Sequence, residues 1–147
     1  MEFRIISRKW ANTLKMTVPT IVISITDINS YHPIYSEKEN ILDILYLKFD
    51  DVDLSSNTNP ESRFYVPINE IQAKEIVDFV EKYKDKVEQV VCQCDAGISR
   101  SSATAAALSV IYNGNGSDKW IFDSRQYVPN TAVYRAILNV KYGAENK

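Results

Sequence analysis

One stretch constrains this chain more than any other: an apolar run passes straight into a tight loop, and the loop into an alanine-rich segment. It is Glu88 to Tyr112, reading EQVVCQCDAGISRSSATAAALSVIY. Val90-Val91-Cys92 has the pattern of a buried strand. Cys94 to Arg100 (CDAGISR) is a loop, and Ser101 to Tyr112 is rich in good helix formers. A strand, a short loop and a helix start together make an anion-binding device. The first N–H groups of a helix have no partner inside it, and the dipole makes that end positive. A loop folded over that end adds further N–H donors. Gly97 gives the backbone freedom where a side chain would block the fold or the ligand.

Cys94 opens this loop and Arg100 closes it. A thiol placed at a helix N-terminus beside a guanidinium gives up its proton readily and becomes a thiolate nucleophile. Arg100 offers a planar fork of donors matched to two phosphate oxygens. The Ser101 hydroxyl is placed to hydrogen-bond the sulfur, as thiolate or as leaving group. A Cys and an Arg six positions apart is a weak signal alone. The glycine, the hydroxyl after the arginine, the strand before and the helix after are separate requirements, and all are met.

On these residues the chain resembles the cysteine-based protein tyrosine phosphatases, specifically the small dual-specificity type. Their signature is His-Cys, five residues, Arg, then Ser or Thr, on a strand–loop–helix. This chain reads Gln93-Cys94-Asp95-Ala96-Gly97-Ile98-Ser99-Arg100-Ser101. The departure is Gln93, where the family has a histidine that helps order the loop and favour the thiolate.

The rest of the composition sets bounds. At 147 residues the chain has room for one domain with a real core, read as a single phosphatase-like domain over 1–147. A net charge of −2 gives no basic footprint for nucleic acid or an anionic membrane. No apolar run reaches the length of a membrane span, and MEFRIISRKW lacks a signal-peptide core. Cys92 and Cys94, the two cysteines, form no disulfide framework, and a free reactive thiol fits a reducing cytoplasm. One histidine, His32, and no ligand-spaced cysteines argue against a metal site.

In chain order, Met1 to Ser7 reads as an edge strand. Arg8 to Val18 reads as surface packing around Trp10. PTIVISIT (Pro19 to Thr26) is the clearest strand by β-branched content, and Asp27 to Asn40 is polar, with His32 an exposed loop residue. ILDILYLKF (Ile41 to Phe49) is a strand running into Asp50, Asp51 and Asp53. A solvated turn is the plain account of three acids there. Leu54 to Pro67 is loop-like. Asn69 with Gln72 looks like a capping box opening a helix whose Ile76, Phe79, Val80 and Tyr83 face the core. A second helix, after Pro129-Asn130, should turn Val133, Ile137 and either Leu138 or Val140 inward and end at Gly143.

The resemblance implies an α/β fold: a central, mostly parallel sheet of about four to five strands, flanked by helices on both faces. Cys94 would lie at the carboxyl end of a central strand. It implies phosphomonoester hydrolysis through a phosphocysteine, with Cys94 as nucleophile and Ser101 assisting the thiolate. Arg100 and the N–H groups of Asp95, Ala96, Gly97, Ile98, Ser99 and Arg100 would hold the phosphoryl oxygens. An Asp after the strand preceding the long helix would be the general acid. That points to Asp51, with Asp50 and Asp53 as alternatives. Asn130 would support the phosphate loop. No cofactor or metal is implied. The partners implied are a phosphorylated protein or small phosphomonoester, and phosphate or sulfate ion in the loop, with no nucleic acid and no membrane. Asp95 disfavours a highly charged lipid head. A second reading is a phosphatase-like module that binds phosphotyrosine or phosphate and turns over poorly. A third is thiol redox chemistry between Cys92 and Cys94. Residues two apart on a strand lie about 6.6 Å apart along it, which disfavours a bridge.

Overall fold

The computed structural model describes residues 1–52 and 64–143. Four strands form one all-parallel sheet: β1 (Glu2–Ser7), β2 (Thr20–Thr26), β3 (Ile41–Lys48) and β4 (Gln89–Cys94), in the order β1-β4-β2-β3. The helices are α1 (Glu70–Tyr83), α2 (Arg100–Asn113), the short α3 (Lys119–Phe122) and α4 (Thr131–Tyr142). The α/β reading holds, with four strands among the described residues.

β2 and β4 are interior strands covered on both faces, which is why every residue of each is buried. The alternation of side chains divides them between two cores. Ile21, Ile23, Ile25, Val90, Cys92 and Cys94 meet Ile76, Val80, Leu108 and Ile137 of the helices. Val22 and Val91 point the other way, onto Ile6, Ala11, Leu14, Met16 and Tyr35.

That second face corrects an expectation. Helices α1, α2 and α4 share one face of the sheet, whereas segments 8–19 and 27–40 cover the other. The only helical piece there, among the described residues, is a 3-10 turn at Arg8–Trp10. Pro19 and Pro33 and the polar run between the strands leave no sustained helical period. Trp10 does not anchor this layer. It is 54% exposed, and Ala11, Leu14 and Met16 fill the core instead. His32 is half-buried against Tyr46, with ring centroids 4.7 Å apart, so it is not a free loop residue. Its burial, and then the positive charges of Lys48 and Arg8, hold its pKa below the usual histidine value.

Local chemistry sets the helix starts. Asn69 accepts from the Gln72 N–H at 2.8 Å, and the Gln72 side chain accepts from the Asn69 N–H at 3.2 Å, the reciprocal pair expected. Asn130 caps α4 by accepting from the Val133 N–H at 3.1 Å. Val133 and Ile137 are buried, and of the two later candidates Leu138 packs on the core while Val140 stays exposed. Helix α2 has no polar face: Arg100 through Ser109 are all buried, wedged between the sheet and α4. Its buried hydroxyls donate back one turn, Thr104 to the Arg100 carbonyl at 2.8 Å and Ser109 to the Ala105 carbonyl at 2.7 Å.

Candidate active site

Cys94 is the last residue of β4 and Arg100 the first of α2, so the loop between them crowns an interior strand at its carboxyl end. Open α/β sheets bind ligands there. Cys94 is 2% exposed, and its Sγ lies 3.0 Å from Ser101 Oγ in the first turn of α2. Among the described residues, no backbone N–H of Ala96, Gly97, Ile98 or Ser99 donates to another backbone group. These N–H groups, with those at the start of α2, are donors that an anion can use.

Gly97 is fixed by two independent constraints. Its φ is +70°, where an L side chain is strained, and a Cβ there would lie 2.7 Å from Ser7 N and 2.8 Å from Ile6 C. The loop therefore presses on the end of β1. Gly97→Ala should cost about 2–4 kcal/mol. Differential scanning calorimetry should show Tm falling by roughly 5–15 °C. A Tm within about 2 °C of wild type would refute the close approach.

Arg100 is held by groups far away in sequence. Its Nη1 donates to Asp27 Oδ1 at 2.7 Å and to the Phe49 carbonyl at 2.8 Å. Its Nη2 reaches Asp95 Oδ2 at 3.4 Å. Its Nε is buried with no hydrogen-bond partner among the described residues. One edge of the guanidinium is thus spent on the scaffold, and Nε remains available to an oxyanion. Burial pushes the arginine pKa down, but the charges of Cys94, Asp27 and Asp51 more than offset it, so Arg100 stays protonated. Burial and the neighbouring Asp95 carboxyl raise Asp27 above the usual carboxylate range against the pull of Arg100.

Sequence reasoning missed Asp27. The signal was available: Asp27 directly follows the most β-branched strand, at the carboxyl end of the sheet where ligand-binding loops converge. Arg8 was missed as well. Its N–H donates to the Asp95 carbonyl at 3.1 Å, and its guanidinium lies 3.7 Å from the Asp95 carboxylate. Its other terminal nitrogen donates to the Tyr31 carbonyl. Asp95 thus lies between two arginines.

The acids after β3 have separate fates. Asp50 accepts from the backbone N–H groups of Ile28 at 3.2 Å and Val66 at 2.8 Å, which makes it a clamp between loops. Asp51 is exposed at the loop rim, where its Oδ1 accepts from Ser99 Oγ at 2.9 Å and from Asn130 Nδ2 at 2.7 Å. Asp53 lies outside the described residues, as does most of the loop that follows it. Asn130 also donates its N–H to the Ser99 carbonyl at 3.1 Å and its side-chain amide to the Val52 carbonyl at 3.1 Å. It therefore joins the loop after β4, the turn after β3 and the start of α4.

Gln93 points away from Cys94, as neighbours on a strand must. Its Oε1 accepts from Tyr35 Oη at 2.9 Å and from Ser24 Oγ, all within the core. Cys92 is wholly buried, and burial pushes its thiol pKa up. Both cysteines are free. Among the described residues no cluster of three or more His, Cys, Asp or Glu could hold a metal, and no helix is long and apolar enough to cross a membrane.

This parallel sheet, with its strand–loop–helix at the carboxyl end, has a dual-specificity-phosphatase-like fold. Human DUSP28 superposes with a TM-score of 0.61 over 98% of this chain and 94% of its own, at 12% identity. PTPMT1, in a structure with PI(5)P, gives 0.60 over 99% and 95%, at 15% identity. Tk-PTP, in its active form, gives 0.55 over 94% and 88%, at 14% identity. No protein-family model matches the sequence, and no curated protein matches it.

Proposed function

We propose that this protein is a tyrosine or dual-specificity phosphatase that hydrolyses phosphomonoesters through a phosphocysteine, without a metal. The observation that carries this reading is the buried Cys94 sulfur, 3.0 Å from Ser101 Oγ at a helix start, in a loop closed by Arg100. Cys94 Sγ attacks phosphorus, the ester oxygen leaves, and the phosphoryl group passes to sulfur. The loop N–H groups and Arg100 stabilise the charge on the transferring oxygens. Asp51, placed at the rim by Ser99 and Asn130, protonates the leaving oxygen. As carboxylate it then takes a proton from the water that attacks the phosphocysteine. Ser101 Oγ donates to the sulfur when it is expelled as thiolate. Asp27, Asn130 and Gln93 are positioning residues. A phosphorylated protein, acting in the cytoplasm, is the substrate this reading implies.

The test is hydrolysis of p-nitrophenyl phosphate in EDTA and a reductant between about pH 5 and 8. Turnover should persist in EDTA, and acid-quenched enzyme should carry a phosphoryl group on the Cys94 peptide. Loss of all turnover in EDTA sinks the metal-free mechanism. Asp51→Ala should slow an alkyl phosphate by on the order of 10²-fold or more. It should slow p-nitrophenyl phosphate by less than about tenfold, because that leaving group needs little protonation. Equal effects on both substrates would remove Asp51 from the acid role.

A further inference from the structure

β1 is an edge strand: it pairs with β4 on one side and with no strand on the other among the described residues. The Glu2 N–H and the Arg8 N–H both donate toward β4, to the Glu88 and Asp95 carbonyls. Even-numbered residues of β1 therefore face β4, and the N–H and C=O of Phe3 and Ile5 face outward. A groove of about 630 Å³ is lined by Arg4 to Ser7 of this strand and by Ala96 and Gly97 of the loop after β4. Arg4, Lys9 and Lys15 line it, and no acidic residue does. The whole chain carries 19 acids against 17 Lys and Arg, so this local balance is not that of the molecule. Lys9 Nζ stands 5.2 Å from the centroid of the half-exposed Trp10 ring, on the same wall. Ser7 Oγ, also in the lining, is buried with no hydrogen-bond partner among the described residues.

From this juxtaposition we infer that the groove docks an extended, acidic segment of the phosphoprotein substrate, next to the phosphorylated residue. The open edge of β1 offers backbone donors and acceptors to an added strand. Strand addition explains why the segment would be extended, and the three cations explain why it would be acidic. Ala96 and Gly97 in its lining put the groove beside the loop that would hold the phosphate. The identity of the segment as substrate rests on the phosphatase reading. The charge and shape of the groove do not.

The experiment uses two phosphotyrosyl peptides that differ only in flanking residues, Asp and Glu in one and Asn and Gln in the other. Wild type is compared with the double variant Lys9→Glu, Lys15→Glu. At low salt the acidic peptide should have about a tenfold higher kcat/KM on wild type, from three partly solvated charge pairs. The double variant should erase that preference and leave p-nitrophenyl phosphate hydrolysis unchanged. A second arm follows the unphosphorylated acidic peptide by fluorescence anisotropy on wild type and the double variant. It should bind the former and not the latter. If no substrate is turned over at all, the phosphatase reading fails, and this arm alone decides whether the groove takes an acidic peptide. Equal kcat/KM for both peptides, with no anisotropy change, overturns the proposal and leaves the lysines as plain protection of a strand edge. A single-stranded RNA or a phosphatidylserine vesicle that displaces the acidic peptide at matched charge also overturns it.

Discussion

Cys94→Ser is expected to lower turnover of p-nitrophenyl phosphate by ~10⁴-fold or more, the scale seen when a covalent nucleophile is removed. A serine hydroxyl at this place has no base to take its proton, since its near neighbour, Ser101, is another hydroxyl. The fold should survive, because the sulfur is replaced by a smaller oxygen in a site already bordered by a hydroxyl. The cradle survives with it: the loop N–H groups and Arg100 are untouched. Tungstate at about 100 times its Kd should therefore still stabilise the variant, by about 2.7 kcal/mol. The two measurements separate chemistry from binding. A variant within tenfold of wild type would end the phosphocysteine reading. A wild type that shows no turnover, yet is stabilised by tungstate, would favour the binding module instead, and Gln93→His would then be the first change to make.

Arg100→Lys should lower kcat/KM by about 10³-fold, the lower end of what a transition-state arginine contributes in phosphoryl transfer. Charge is conserved, so the loss tests geometry. The guanidinium reaches Asp27 and the Phe49 carbonyl through Nη1 and Asp95 through Nη2 because its donors diverge in one plane. An ammonium is a single point and must leave at least one of these partners unmatched. An unpaired buried carbonyl such as that of Phe49 costs about 1–3 kcal/mol, so the Tm should also fall, by roughly 2–10 °C. Weaker tungstate stabilisation should accompany the loss. If Arg100→Lys keeps a third or more of wild-type kcat/KM, the oxyanion clamp is not a fork, and the N–H cradle alone carries the charge.

Much of the site lies in one contiguous run, and that is why it could be read. Cys94, the N–H groups after it, Arg100 and Ser101 are brought together by a strand end and a helix start, and both elements are specified locally. Apolar β-branched residues make β2 and β4, alanines make α2, and the Asn69–Gln72 pair opens α1 by a bond that spans three residues. Asn130 was visible as a turn and cap signal. Its bond to Asp51 crosses 79 positions and was not.

What the tertiary structure decided is every choice that depends on distant segments meeting. Asp27 and Arg100 are 73 residues apart, and only the adjacency of β2 and β4 brings them to 2.7 Å. Asp50 and Asp51 are neighbours, and the resemblance points to Asp51 with Asp50 as an alternative. Backbone donors from Ile28 and Val66 take up the first, and Ser99 and Asn130 orient the second toward the loop. The side of the sheet with no α-helix among the described residues, and the cationic groove beside β1, follow from the strand order β1-β4-β2-β3. A sequence encodes propensity and period residue by residue. It does not print which loop ends will converge, because convergence is set by long-range packing of the whole core.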